Sequence, residues 1–537
     1  MQKISAVISM LHEPASPNSA TRLFRQEPVL GWTLERVWRC DAIDSIAIIC
    51  WQDQLDQVQP LASESEAHIL CKNPRIRVPQ IESIAASRRW ADGWRGGLLG
   101  SCDFDLGFHA SWVMEVVKNL CSDGIFLIDP SAGLVDPKLL AAMAAHAREH
   151  ETHELFFTQA APGLAGALLK PALIEKLAAA QTHPGRILSY LPEQPMRDPI
   201  AAEMCVPIPT PVARTTRTFR LDSDRQIEKL TLASVHLNGE LVRSDSEDLV
   251  NRLKWTMEVD FKPREVVLEL NTSRSTSPIF WPGAAHSIQR PALPVETARR
   301  IFDQLGDDIR LTLGGVGDPL LHEELFEIIH LARAAGIQAI HVETDLLPRR
   351  REVVDRLAEA EIDIVSMHLP AMTSATYATV MGVDRFTDAI ENIRQFITRR
   401  QEIRRGVPIL CPIFMKCPEN LAEMEAWYDQ WLKALGAAVI SGPSDFAGLI
   451  PDRAVADMSP PKRKPCNRIL SRMSILSDGR VVSCEQDVLG RQVMGDVNTH
   501  TIEQIWKTGF TPLRDSQRQN CGADRPVCAG CREWHRP

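Results

Sequence analysis

The stretch Leu311 to Gly336, LTLGGVGDPLLHEELFEIIHLARAAG, decides the fold. It opens on an apolar strand and turns through Gly314, Gly315, Gly317 and Asp318. It then runs into an amphipathic helix that Gly336 stops. Strand, glycine turn and helix make one β/α unit, and the unit recurs on both sides. The strands are VVLEL (266–270), IRLTLGG (309–315), AIHVETD (339–345), DIVSMHLP (363–370), PILCPIF (408–414) and AAVISGP (437–443). Helices such as ARRIFDQL (298–305) and FTDAIENIRQFI (386–397) lie between them. The second puts Phe386, Ala389, Ile390, Ile393 and Ile397 on one face. Six such units predict an incomplete (β/α)6 parallel barrel over residues 263–450, with chemistry at the C-terminal ends of its strands. The glycines allow backbone to approach a ligand without a Cβ in the way.

Residues 1–215 also alternate strand and helix, in a less regular rhythm. ISAVISM, SIAIICW and GIFLIDP read as strands, and PVLGWTLERVWRC as a helix with Val29, Trp32, Leu34 and Val37 apolar. This predicts a mostly parallel sheet with helices on both faces. Residues 216–262 are charged and irregular and read as a connecting helical segment closed by Phe261-Lys262-Pro263. Residues 451–537 form a small cysteine-rich domain. The fold class is thus α/β throughout, ending in that tail.

The tail holds five of the thirteen cysteines: Cys466, Cys484, Cys521, Cys528 and Cys531. Within it, ILSDGRVVSCEQD reads as a hairpin turning at Asp478-Gly479 that delivers Cys484, and Cys528 and Cys531 form a CxxC. Two thiolates from a hairpin and two from a CxxC suit a four-thiolate metal site, either zinc or iron–sulfur. A disulfide knot fits poorly, because nothing in the chain suggests export. The other cysteines, Cys411 in its apolar strand among them, read as small buried hydrophobes.

Composition bounds the function classes. With 44% hydrophobic residues, the 537-residue chain can bury ordinary cores. A net charge of -9 argues against a nucleic-acid footprint, which needs a basic face. No apolar run approaches the ~20 residues of a membrane helix. The expectation is a cytoplasmic protein with a small-molecule, peptide or protein partner.

In order along the chain, these motifs resemble the radical S-adenosylmethionine superfamily. LTLGGVGDP matches its glycine-rich loop, ETDLL stands where that family has TNG-x-L, and DIVSMHLP brings Ser366 to a strand end. The pattern Cys466-x12-Gly479-x4-Cys484, then GDVNTHTIEQIWKTGFTPLR and the CxxC, resembles the SPASM domain. The resemblance implies S-adenosylmethionine-binding roles for Gly314, Gly315, Gly317, Asp318 and Ser366. It also implies one auxiliary [4Fe–4S] cluster on Cys466, Cys484, Cys528 and Cys531, with Cys521 as a fifth thiol able to exchange in. One departure is decisive. The family's CxxxCxxC loop comes after the first strand, but here Ser275, Ile279 and Pro282 occupy its cysteine positions, and no cysteine lies between Cys205 and Cys411. Isoleucine and proline offer no ligand atom, and His286 offers one nitrogen at best. The resemblance and its departure together imply a pseudoenzyme that keeps the auxiliary cluster and acts in binding, electron relay or regulation.

Residues 1–215 resemble the nucleotidyltransferase and glycosyltransferase-A fold, with Arg22 before the first helix and Asp129 at a strand end. That implies a divalent ion held against a nucleotide, hence a sugar-nucleotide or nucleotidyl transferase as the alternative activity. The loop LHEPASPNSATR, however, lacks that family's glycines and lysine. An active radical enzyme with atypical cluster ligands is the other alternative.

Overall fold

In a computed structural model of the protein, which describes residues 1–255, 262–284 and 286–536, the chain divides into two compact units. The first ends at Met257 and the second begins at Glu258.

The first unit is built on β1 (Ile4–Ser9), whose six residues are all buried. The other strands are β2 (Leu23–Phe24), β3 (Glu27–Pro28), β4 (Ser45–Trp51), β5 (His68–Lys72), β6 (Gly124–Ile128), β7 (Leu155–Phe156) and β8 (Ala167–Leu169). The main sheet runs β5-β4-β1-β6-β8-β7, while β2 and β3 make a separate short hairpin. β1 pairs in parallel with β4 and β6, and β8 lies antiparallel to β6. Side chains alternate across the sheet. Ile4, Ala6 and Ile8 pack with Leu30, Leu34 and Ile46, whereas Val7 packs on the other face with Phe108 and Val113. Burial on both faces is why the strands read as unbroken apolar runs.

The stretch read as a connector is an integral part of this unit. Phe219, Leu221, Leu230, Leu237, Leu241 and Leu249 share a core with Phe24, Val29 and Trp32. Arg36, on the helix Val29–Trp38, anchors it. Fully buried among apolar neighbours, its guanidinium donates to the carbonyls of Val135 (2.6 Å), Leu241 (3.1 Å), Val242 (3.1 Å) and Ser244 (2.7 Å). Phe261, part of the expected close of that stretch, lies outside the described residues, as does Pro537 at the end of the tail.

The second unit carries β9 (Glu265–Glu269), β10 (Arg310–Gly314), β11 (Ala339–Thr344), β12 (Ile364–His368), β13 (Ile409–Met415) and β14 (Val439–Ser441). Each pairs in parallel with the next in sequence, the order an incomplete (β/α)6 barrel requires. Gly336, with φ +91°, ends the helix Leu325–Ala334 as expected. The tail is not a separate body. β15 (Arg472–Ile475) joins the free edge of β9 in parallel, and β16 (Arg480–Val482) and β17 (Val493–Asp496) extend the same sheet antiparallel. Trp506, Phe510 and Leu513 of the tail share one core with Leu311 and Val342 of the central strands. Among the described residues no helix is long and apolar enough to cross a membrane.

Replacing Arg36 by Met keeps most of its volume but leaves four carbonyls without their donor. Each unmet buried acceptor costs about 1–3 kcal/mol. Arg36→Met should therefore lower unfolding free energy by at least about 3 kcal/mol in denaturant titration, and an unchanged midpoint would contradict the anchoring role.

Candidate metal centre and strand-end sites

The tail's cysteines come from three local structures. Cys466 precedes the short turn that leads into β15, and Cys484 comes just after β16. The turn between the two strands is the Asp478-Gly479 turn read from the sequence, with Gly479 at φ +93°. Cys528 and Cys531 lie beyond the helix Thr511–Asn520. Cys521 caps that helix in the left-handed region at φ 56°, and its sulfur lies 3.9 Å from the Arg463 carbonyl.

Burial and neighbouring charge act on the tail's thiols. Burial raises the Cys484 thiol well above its ordinary value, and Glu485, Cys531 and Cys528 push it the same way. Burial lifts Cys531 to about 11, with Cys466 and Cys528 adding to it. Cys528 is raised by burial and by Cys466, against the opposing Gln517 amide. Cys466, Cys484, Cys528 and Cys531 thus act on one another's charge.

All thirteen cysteines are free thiols, and four thiolates from these segments suit either zinc or an iron–sulfur cluster. The buried Gln517 side chain lies beside this set: its amide acts on the Cys528 thiol, and its Oε1 accepts from the Cys466 amide at 3.1 Å. It is a donor suited to a thiolate or sulfide acceptor.

At the C-terminal ends of the central strands the chain fills its own space. Arg274, in the loop after β9, donates from Nε and Nη2 to the two Asp345 carboxylate oxygens, both at 2.8 Å, and its guanidinium lies 4.5 Å from the Trp281 ring centre. Asp345 also accepts the Thr276 hydroxyl and lies 3.1 Å from His368 Nδ1, while Nε2 of the same ring is 3.2 Å from Glu343. Burial would lower the His368 pKa, but Asp345 and Glu343 overcome it and carry it to about 9. Glu343 is held down at about 2 by His368, His341 and Arg274 despite burial. A second bidentate pair, Arg290 to Glu269 at 2.8 and 2.7 Å, sits at the end of β9, and Glu269 also accepts from Ser477 of the tail.

The glycines singled out in the sequence stand at these strand ends. A Cβ on Gly314 would stand 3.1 Å from Glu343 Oε2, on Gly315 2.8 Å from Glu269 Cβ, and on Gly317 2.3 Å from the Asn271 carbonyl. The room these glycines open is occupied by the protein's own side chains and backbone. Asp318 is fully buried and accepts from the Thr344 hydroxyl (2.8 and 2.9 Å) and the Asp345 amide (2.9 Å). Ser366 is mid-strand in β12 and bonds His341 Nε2 at 2.6 Å; the residue at the strand end is His368. Ser275 donates to the Leu347 carbonyl, and His286 Nε2 donates to the Leu449 carbonyl at 2.9 Å. Arg274, Asp345, His368 and Glu343 carry the site's charge, and sequence reasoning missed them. The acidic residues of ETD at the end of the third strand were the available signal.

In the first unit, Asp103 and Asp129 line a cavity with Val7, Ser9 and Leu127 at the strand ends. Asp129 Oδ2 is 3.7 Å from His12 Nε2, and Asp103 is 3.0 Å from Arg220. Burial drives His12 down to about 4 and Glu13 up to about 7. Arg220, through its charge, holds Asp129 below the carboxylate range against burial. The Arg220 charge acts on both carboxylates, while Asp129 Oδ2 is buried without a hydrogen-bond donor among the described residues. Arg22 pairs with Asp224 at 3.5 Å.

Residues 466–532 match the family model SPASM, an iron–sulfur cluster-binding domain. An uncharacterized protein of Treponema pallidum (strain Nichols) is 27% identical over 290 residues, 51% of this chain and 79% of that protein. Among solved structures, BtrN in complex with AdoMet and 2-DOIA is similar over 50% of this chain and 92% of its own, with 16% identity and a TM-score of 0.35. Streptococcus suis SuiB bound to precursor peptide SuiA covers 53% and 80%, at 12% identity and 0.40. A cytidylyltransferase from Leptospira borgpetersenii serovar Hardjo-bovis covers 48% and 100%, at 14% identity and 0.33.

The raised His368 pKa fixes the sign of a pH dependence. Its stabilisation is complete below the unfolded value of 6.5 and is lost as pH rises through about 9. Relative to His368→Gln, the native protein should lose up to about 3 kcal/mol of unfolding free energy between these limits. Parallel stability–pH curves for the two proteins would contradict the His368–Asp345–Glu343 assignment.

Proposed function

We propose that this is an iron–sulfur protein of radical S-adenosylmethionine/SPASM architecture that has lost the S-adenosylmethionine-cleaving cluster and keeps one [4Fe–4S] cluster, serving in binding, electron relay or regulation. The observation that carries the reading is the Arg274–Asp345 pair. In the loop where three cluster cysteines would be needed stand Ser275, Ile279 and Pro282, and the adjoining space holds a buried, bidentate ion pair. A cluster beside these groups would require that network to be dismantled, leaving a buried charge unpaired at about 3–5 kcal/mol.

In the tail, Cys466, Cys484, Cys528 and Cys531 would hold the cluster, which supplies one-electron chemistry when bound. The chain's own contribution is electrostatic. Gln517 offers an amide hydrogen beside Cys528, and the Arg463 guanidinium donates to the Cys528 carbonyl. Hydrogen bonds and positive charge near the sulfurs raise a cluster's reduction potential. The thiols are protonated near neutral pH because burial raises them, so loading must release protons. Partner choice, whether small molecule, peptide or protein, depends on what the strand-end surface admits.

Two linked outcomes are expected. Cys484→Ser should lose the visible absorption of the cluster, while Cys521→Ser should retain it after anaerobic reconstitution. The native protein with reductant and S-adenosylmethionine should form no 5′-deoxyadenosine above a no-protein blank. Deoxyadenosine formation would overturn the pseudoenzyme reading. Equal loss of absorption in both variants would overturn the ligand set.

A further inference from the structure

A second group of metal-ligating side chains lies in the first unit, on the helix Pro137–Glu149 and the residues after it. His146 and Glu149 fall at i and i+3 on one helix face, and His150 is the residue that caps the helix. Each offers a ligand atom, and the three atoms lie within 4.8 Å of one another. The His146 and His150 ring centres are 4.1 Å apart. Two more groups converge here from outside the helix. The Glu203 carboxylate lies 3.4 Å from His150 Nδ1 and 3.1 Å from His153 Nε2.

The hydrogen bonds fix which nitrogen of His146 is available. Its Nε2 lies 2.7 Å from the Glu203 carbonyl oxygen, which can only accept. Nε2 is therefore the protonated nitrogen, and Nδ1 presents its lone pair. A backbone carbonyl orienting the far nitrogen is the arrangement that holds a metal-binding imidazole in the correct tautomer. Glu203, through its carbonyl on His146 and its carboxylate on His150 and His153, touches every imidazole of the cluster. It is itself held by the sheet, since Phe157 donates to the Met204 carbonyl (3.1 Å) and accepts from Val206 (2.8 Å).

We propose that His146, Glu149 and His150 bind one divalent transition-metal ion, with Glu203 and His153 orienting the ligands. Two imidazoles and a carboxylate select the zinc, nickel and copper class over magnesium or calcium. The ion would clamp the end of this helix to the segment around Glu203. It is independent of the thiols of the tail.

Cobalt(II) titration of tag-free protein whose tail is already loaded with iron tests this, because cobalt reports its ligands by its spectrum. The expected result is one cobalt per chain with weak ligand-field bands and no thiolate charge-transfer absorption. Zinc should displace it. Glu149→Ala, at an exposed position, and His150→Ala should each weaken binding at least 10-fold with an unchanged circular dichroism spectrum, and Glu203→Gln by about 10-fold. Cobalt binding that is equal in the native protein and both ligand variants would overturn the proposal. So would thiolate charge-transfer as the sole cobalt signal, or no cobalt bound at micromolar concentrations.

Discussion

Asp345 is the residue on which the second unit's strand-end surface depends. Its carboxylate is fully buried, and a buried charge persists only if it is paired and hydrogen-bonded. Three other segments meet that demand. Arg274 and Thr276 come from the loop after β9, His368 ends β12, and the Asp345 backbone amide is fixed by Asp318 from the glycine turn after β10. Removing any one partner leaves charge exposed to apolar surroundings, so the loops are locked together.

The tail depends on the same sheet from the other side. Glu269, at the end of β9, is bound by Arg290 and by Ser477, while Arg472 of β15 pairs with Glu265 at the start of β9. One strand therefore carries ion pairs to the loop region and to the hairpin that delivers Cys484. The segments that carry the tail's cysteines are thus built on a shared sheet and a shared core.

Much of the framework was legible in the sequence because burial on both faces leaves a plain record. The six parallel strands read as short apolar runs, Gly336 ended its helix, and Asp478-Gly479 turned its hairpin. The tail's iron–sulfur character was legible from its motif, and residues 466–532 match the SPASM model. Other features left no local record. Arg274 and Arg36 look like solvent-facing arginines in sequence, and only partners about 70 to 200 residues away show them buried. The stretch 216–255 is polar enough to read as a connector, yet its scattered leucines complete a core. The barrel glycines suggested room for a ligand, but that room is filled by Glu269, Asn271 and Glu343, which no local pattern announces.

The measurement that reaches the central claim most directly is an iron and acid-labile sulfide count on protein purified without oxygen. About four irons and four sulfides per chain are expected, one cluster held by the tail. About eight of each would require a second cluster where the Arg274–Asp345 network stands, and one zinc with no iron would remove the cluster altogether; either result would contradict a protein with a single cluster in its tail.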